Sequence, residues 1–520
     1  MEKPKLLICT PELVCVPKLV FDIPECTGDV AGKIMSFKTG GMAEITSIVV
    51  AELVRDEDLL LDVAVPQWKS SFMQISDFTN REIDALIEAL ENHHVHLIED
   101  ASFNHVRISG SNTLMYDGTW RFTAVDRAIA YNRGIINWII RHVDPDVIWV
   151  NDWMPGLVPA AIKKYGIKSL VTIHNIFTQE ALIDRLIKEG IDMREFSDYV
   201  YRSHWSNEYG QSPVDFLATG VFASDFITTV SPNFMIELVE GRYSDRMSPW
   251  LQEQIINKHR SGRARGILNP RDEKVPNLIQ EVGDASLKEV IDRKSENSVI
   301  SRRLKNTEML RKRLGLKQVD GPLIIYPNRL HDEKNPELLL RNAQWLVNKY
   351  GVQFIINANG LNHYERSFGE AAVLSNGMIA YSHFDASIEE AAMYCNGVYG
   401  LMTPDREPCG SPNIKYPPRG VLVIAHEVGG IKDSVFSLDW EKGTGNGFVY
   451  KPNTDDALFG IMGVVVNFHN QTDEVRYRNL IRIAKESIER HSVRKMVDAY
   501  KEIIFQLYDE KKRAEAEVKT

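Results

Sequence analysis

Along the chain, short runs of consecutive apolar residues alternate with longer stretches whose apolar positions recur every three or four residues. KLLICT, LDVAVP, DVIWVND, SLVTIHN, DFITTVS and ARGILN read as buried parallel strands. RAIAYNRGIINWIIRHV and PWLQEQIINKHR, between them, carry the helical period. This βα series occupies residues 1–270. From Pro270 the pattern changes: NPRDEKVPNLIQEVGDASLKEVIDRKSENS is charged and lacks long apolar runs, so it reads as a linker. The helix SRRLKNTEMLRKRLGL then leads into a second series, with strands GPLIIYPN, VQFIINAN, GMIAYSH, GVYGLMTP and GVLVIAH. The tail SVRKMVDAYKEIIFQLYDEKKRAEAE is one long helix.

The predicted class is α/β, with two doubly wound, Rossmann-like domains. A chain of 520 residues exceeds the size at which a single core keeps growing. The expected boundaries are 1–295, 296–490 and a C-terminal helix over 491–520. Open sheets of this kind bind ligands beyond the carboxyl ends of their strands, so a cleft between two such edges is expected.

Composition narrows the function by exclusion. With 44% hydrophobic and 25% charged residues the proportions are those of a globular protein. A net charge of -10 argues against a broad nucleic-acid or anionic-membrane surface. The five cysteines, Cys9, Cys15, Cys26, Cys395 and Cys409, form no C-x-x-C and fit a reducing cytoplasm. No apolar run reaches the length of a membrane span, and the N-terminus lacks a secretory apolar region.

The unusual residues fall directly after strands. In SFKTGGMAEITSIVVAEL, Lys38 precedes Gly40 and Gly41, the reverse of the order in a Walker loop, so the ordinary ATPase reading fails. Asp152 follows VIWVN and His174 follows SLVTI. Alone, the first reads equally well as a helix cap and the second as a structural histidine; together with FKTGG they converge on one sheet edge. In IIYPNRLHDEKN, Arg329 and Lys334 precede the helix PELLLRNAQWLV. Two cations at a helix start oppose the dipole unless an anion sits there. Glu407 and Gly410 follow GVYGLMTP, where a carboxylate suits sugar hydroxyls and the following amides suit phosphate. EKGTGNGFVY is Gly-rich and flexible, a weak site signal that reads equally well as a plain surface loop, and His93, His94 and His96 alternate on a short strand without a metal-site pattern.

These segments resemble the bacterial glycogen/starch synthases, retaining glucosyltransferases that use ADP- or UDP-glucose. The resemblance runs from KTGGMAE through NDWMPGLVPA, TIHN, TTVSPNF and GILNPRD to NRLHDEKN, EPCG and GTGNGF. It implies the GT-B fold, two Rossmann-like domains facing a cleft, with the C-terminal helix crossing back to the first. It implies that Lys38, Gly40 and Gly41 approach the nucleotide sugar and that Asp152 and His174 line the glucosyl pocket. Arg329 and Lys334 would neutralise the leaving diphosphate, and Glu407 would engage the donor glucose. Asn269, Cys409, Gly410 and Ser411 would complete the nucleotide-sugar site. No cofactor or metal is implied, and the partners are a nucleotide-sugar donor and an α-glucan acceptor; a homo-oligomer is left open.

The chain departs from the family pattern at several points. The residues VCVPKLVFDIPECTGDVAGKIM separate the first strand from Lys38, and Glu44 stands where aspartate is usual. NPRD replaces N-G-I-D, and GSPNI replaces G-L-T-Q-L, so Pro412 removes a backbone N–H. These changes leave two alternatives to glucan synthesis: a GT-B transferase with another donor or a small acceptor, and a weakly catalytic paralogue that binds glucan or nucleotide sugar.

Overall fold

The computed structural model describes residues 2–15, 34–75, 77–91, 94–109, 112–203, 210–273 and 275–519. Most of the insertion before Lys38, with Cys26, and also His93 lie outside the described residues. The chain forms two compact units: residues 1–267 with 493–520, and residues 268–492.

The first unit is built on seven strands: β1 (Lys5–Cys9), β2 (Leu60–Pro66), β3 (Val95–Ile98), β4 (Val147–Asn151), β5 (Lys168–Ile173), β6 (Phe226–Thr229) and β7 (Ala264–Gly266). They pair in parallel in the order β7-β6-β5-β4-β1-β2-β3. Because both faces are covered, β1 and β4 are almost wholly apolar and buried, as their unbroken hydrophobic runs demanded. The order reverses between β1 and β4, and ligands of open α/β sheets bind beyond such a switch point.

The helix Val493–Lys519 belongs to this unit. Its buried Met496, Val497, Tyr500, Ile503, Ile504 and Leu507 keep the three-and-four spacing of one apolar face. Tyr500 stacks on Trp149 with ring centroids 4.1 Å apart, and Lys511 pairs with Asp146 at 2.7 Å.

The second unit has six parallel strands: β8 (Leu323–Tyr326), β9 (Gln353–Asn357), β10 (Ile379–Ser382), β11 (Val398–Met402), β12 (Leu422–His426) and β13 (Gly447–Tyr450). Their order is β10-β9-β8-β11-β12-β13, with the switch point between β8 and β11. The period of two is visible in β8: Ile324 and Tyr326 enter one core cluster, Leu323 and Ile325 the other.

Three expectations change. The charged stretch after Pro270 is part of the second unit, not a free linker, and the first unit ends at Ile267, before the expected 295. Its short helices Leu278–Val282 and Leu287–Val290 bury Leu278 and Val290 with Tyr477 and Ala484 of the helix Asp473–Arg490. Sparse apolar residues suffice there because each is fully used. The segment 441–450 is likewise no plain loop, since Gly447–Tyr450 is edge strand β13. Gly445, with φ +71, passes so close to Ser437 that a Cβ would lie 1.9 Å from its carbonyl oxygen.

Candidate active site

In the first unit the switch-point residues are Glu12, three residues beyond β1, and Asp152, directly beyond β4. Glu12 is buried, and its Oε2 accepts from the backbone N–H groups of Thr39 (2.8 Å) and Gly40 (3.1 Å). Its Oε1 accepts from the Tyr116 hydroxyl at 2.7 Å. One carboxylate thereby fixes the Lys38–Thr39–Gly40 turn that starts the helix Gly41–Leu53. Among the described residues, a Cβ at Gly40 or Gly41 would meet nothing within 4 Å. Lys38 itself pairs with Glu44 at 3.1 Å.

Asp152 adopts φ +63, a left-handed conformation uncommon outside glycine, with its N–H on the Thr172 carbonyl at 2.9 Å. Its carboxyl is buried; Oδ2 lies 3.4 Å from Asn175 Nδ2, while Oδ1 has no protein partner among the described residues. Burial, and then the charge of Glu12, push its pKa well above the usual carboxylate range, against a smaller opposing effect of the Trp153 amide. Both effects favour the protonated carboxyl, the form that can donate as well as accept.

His174, half-buried beyond β5, has Nε2 3.0 Å from Asn151 Oδ1, which holds the proton on Nε2 and leaves Nδ1 as an acceptor. Burial lowers its pKa to about 4. The unfolded chain therefore binds the extra proton first, and this residue's contribution to stability is lost as pH falls from about 6.5 toward 4. Asp152 has the opposite sign. The expected difference is that His174→Gln loses less denaturation midpoint than the parent between pH 7 and pH 5; identical losses would contradict it.

In the second unit, β8 leads to Arg329 and Lys334, and β11 leads to Glu407. Lys334 Nζ lies 2.6 Å from Glu407 Oε2, with side chains 18% and 9% exposed. The Lys334 carbonyl accepts from Tyr326 Oη at 2.9 Å and Thr403 Oγ1 at 2.8 Å, which pins the loop from two strands. The expected anion seat at the following helix is altered, because Asn335 (φ +46) caps Pro336–Tyr350 and its Oδ1 accepts from Leu338 N at 3.1 Å. Lys334 faces Glu407 instead. Arg329 is exposed and makes no ion pair among the described residues.

The turn bearing Glu407, Cys409, Gly410 and Ser411 is held by a feature the sequence reading missed. Gly430 N donates to the Glu407 carbonyl at 2.8 Å. A Cβ at Gly429 would sit 1.9 Å from that carbonyl oxygen, and one at Gly430 2.5 Å from Cys409 Cα. The signal was the Gly-Gly pair soon after β12, which only this close packing explains. Asn269 lies beside the Cys409 thiol, which is pushed up to about 12 by burial and then by Glu407. The helix after Ser411, Pro412–Lys415, starts with the proline. Among the described residues no three His, Cys, Asp or Glu are arranged to hold a metal ion, and no helix is long and apolar enough to cross a membrane.

Residues 31–253 match the family model of the starch synthase catalytic domain. The chain is 26% identical to a glycogen synthase of Clostridium beijerinckii over 495 residues, 90% of this chain and 96% of that protein. It is also 26% identical to one of Bacillus subtilis over 488 residues, 88% and 92% of the two chains. Among solved structures, the catalytic domain of starch synthase IV from Arabidopsis thaliana, bound to ADP and acarbose, superposes with a TM-score of 0.69. It is 17% identical and covers 98% of this chain and 100% of its own. Sucrose-phosphate synthase from Thermosynechococcus elongatus superposes at 0.52, with 13% identity over 98% of this chain and 100% of its own. The two parallel sheets and these neighbours give the chain the GT-B fold. The match to the starch synthase catalytic domain and the glycogen synthase relatives make it a hexosyltransferase similar to those enzymes.

Proposed function

We propose that the enzyme transfers glucose from ADP- or UDP-glucose to the non-reducing end of an α-1,4-glucan, with retention. The observation carrying this reading is the Lys334–Glu407 pair at the second unit's switch point. It sets a phosphate-binding cation against a hydroxyl-binding carboxylate, as a sugar diphosphate requires. In the transfer, the acceptor O4 forms its bond to the anomeric carbon on the face the diphosphate leaves. The C1–O bond electrons depart with the nucleoside diphosphate, whose phosphate oxygen takes the acceptor proton. Arg329 and Lys334 stabilise the departing charge. Glu407 orients the glucose through its hydroxyls. In the first unit the Lys38–Gly41 turn offers its backbone, and buried Asp152 and unprotonated His174 offer polar groups to sugar hydroxyls. Asn269, Cys409, Gly410 and Ser411 shape the phosphate end of the donor site. The cytoplasm is the proposed setting.

The decisive experiment is a donor panel with purified protein and glycogen, following nucleoside diphosphate release. Release from ADP- or UDP-glucose that depends on glycogen supports the reading, and no release from any donor would end it. Fixed cations supply the charge a metal otherwise would, so exhaustive chelation should leave turnover intact. Loss of turnover with rescue by magnesium or manganese would show that the diphosphate is held differently.

A further inference from the structure

The amino edge of the first sheet, opposite the edge that carries Asp152 and His174, gathers cations from four separate segments. Lys163 comes from the turn before β5, Lys168 opens β5, Arg263 stands directly before β7, and Lys258 lies on the helix Pro249–Arg260. Lys163 Nζ and Lys168 Nζ share one carboxylate oxygen, Asp225 Oδ1, at 3.1 and 3.5 Å. The other oxygen of Asp225, the residue before β6, accepts from Ser169 N at 2.8 Å and Ser169 Oγ at 3.2 Å. Arg263 pairs with Glu510 of the C-terminal helix at 2.7 Å, and Gln506 donates to the same Glu510 oxygen at 3.1 Å. Both carboxylates are thus already engaged.

Lys258 is the cation left over. Its Nζ donates to the Ser224 carbonyl, and it makes no ion pair among the described residues. Its backbone carbonyl accepts from Arg263 N at 2.8 Å, which fixes the two residues side by side. Burial, and then the charge of Lys163, lower its pKa to about 8; Asp225 opposes this fall and Arg263 adds to it. Like charges held together in a half-buried site repel one another unless an anion joins them. Lys163, Lys168 and Arg263 keep 23%, 25% and 35% of their side chains exposed, so solvent reaches the cluster. A phosphate brings a double negative charge and acceptor oxygens on all sides, which answers the surplus of charge and of donors together.

We propose that this cluster is a phosphate site: Lys258, Lys163 and Arg263 hold a phosphate dianion, free or as a monoester, at the amino edge of the first sheet. β5 is six residues long, or ~20 Å at ~3.3 Å per residue, so the anion lies a strand's length from His174 and outside the transfer site. The site stands whether or not the enzyme moves glucose. The test is calorimetric titration of the full-length parent, Lys258→Gln and Lys258→Arg with inorganic phosphate and with glycerol phosphate, the ionic strength held by chloride. Phosphate that binds at Arg329 and Lys334 gives the same heat in all three proteins, so the difference between them reads the Lys258 cluster. Lys258→Gln should bind about tenfold or more weakly than the parent, the loss of one charge-assisted contact, and Lys258→Arg within about threefold of it. Lys258 strands no carboxylate when removed, so Lys258→Gln should melt with the parent in chloride, while phosphate raises the midpoint of the parent alone. Sulfate, doubly charged throughout, isolates the lysine: parent affinity should fall several-fold from pH 7 to pH 9 as Lys258 loses its proton, and that of Lys258→Arg should stay level. Binding of both phosphate and its ester supports the site, and the tighter of the two names its natural form. Equal phosphate affinity in the parent and Lys258→Gln, or a fall in sulfate affinity that persists in Lys258→Arg, overturns it.

Discussion

Arg329→Ala and Lys334→Ala are each expected to lower turnover about a hundred- to a thousand-fold, the loss of about 2.7–4 kcal/mol that follows removal of one preorganised charge-stabilising group. Their effects on folding should differ. Arg329 is exposed and without an ion-pair partner among the described residues, so its removal leaves the thermal midpoint in place. Lys334 is the cation of a largely buried pair, and its loss strands the Glu407 carboxylate without its 2.6 Å partner. Breaking a buried pair from one side costs up to about 3–5 kcal/mol, so Lys334→Ala should also melt earlier. Glu407→Gln on that background removes the stranded charge and should restore the midpoint without restoring turnover. Parent-like turnover in both single variants would remove these residues from the leaving-group site.

The strands were legible because both faces of each sheet are covered. KLLIC, VIWVN and LVIAH are apolar but for one polar residue at an end of each, and no amphipathic helix reads that way. Asp152 and His174, directly after β4 and β5, were legible because a polar group ending an apolar run marks a strand's carboxyl end, and Glu407 follows in the loop after β11. Partnerships across sequence were not. Glu12 lies in TPELVC with no motif to mark it, and only the fold brings its carboxylate onto the Thr39 and Gly40 amides. The Gly429–Gly430 pair was visible as glycine but not as the seat of Glu407, because close approach of two backbones leaves no periodic trace. The stretch after Pro270 misled through composition: Leu278 and Val290 are few, but a preformed helix surface buries them fully. Strand β13 was hidden behind the glycines that let its turn pass under Ser437.

Glu407→Ala should damage turnover far more than nucleoside diphosphate binding. Glu407 is buried at the end of β11 and shares its charge with Lys334, so its carboxylate is fixed before any sugar arrives. Alanine removes the acceptor and leaves donor-glucose hydroxyls unpaired, a cost of about 1–3 kcal/mol for each hydroxyl left buried and unmet. Misorientation of the anomeric carbon adds to that, for a total fall of about a hundredfold or more in turnover. The sign for the free diphosphate is different. Lys334, no longer neutralised by the carboxylate, presents its full charge, so diphosphate affinity should hold or rise. Glu407→Gln keeps one acceptor oxygen and the side-chain volume but loses the charge that orders Lys334, and should fall between the parent and alanine in turnover. The measurements are steady-state turnover and calorimetric affinity for ADP and UDP in the three proteins. Full turnover in Glu407→Ala, or diphosphate affinity that collapses in step with turnover, would show that this carboxylate holds the fold of the phosphate site and does not orient the sugar.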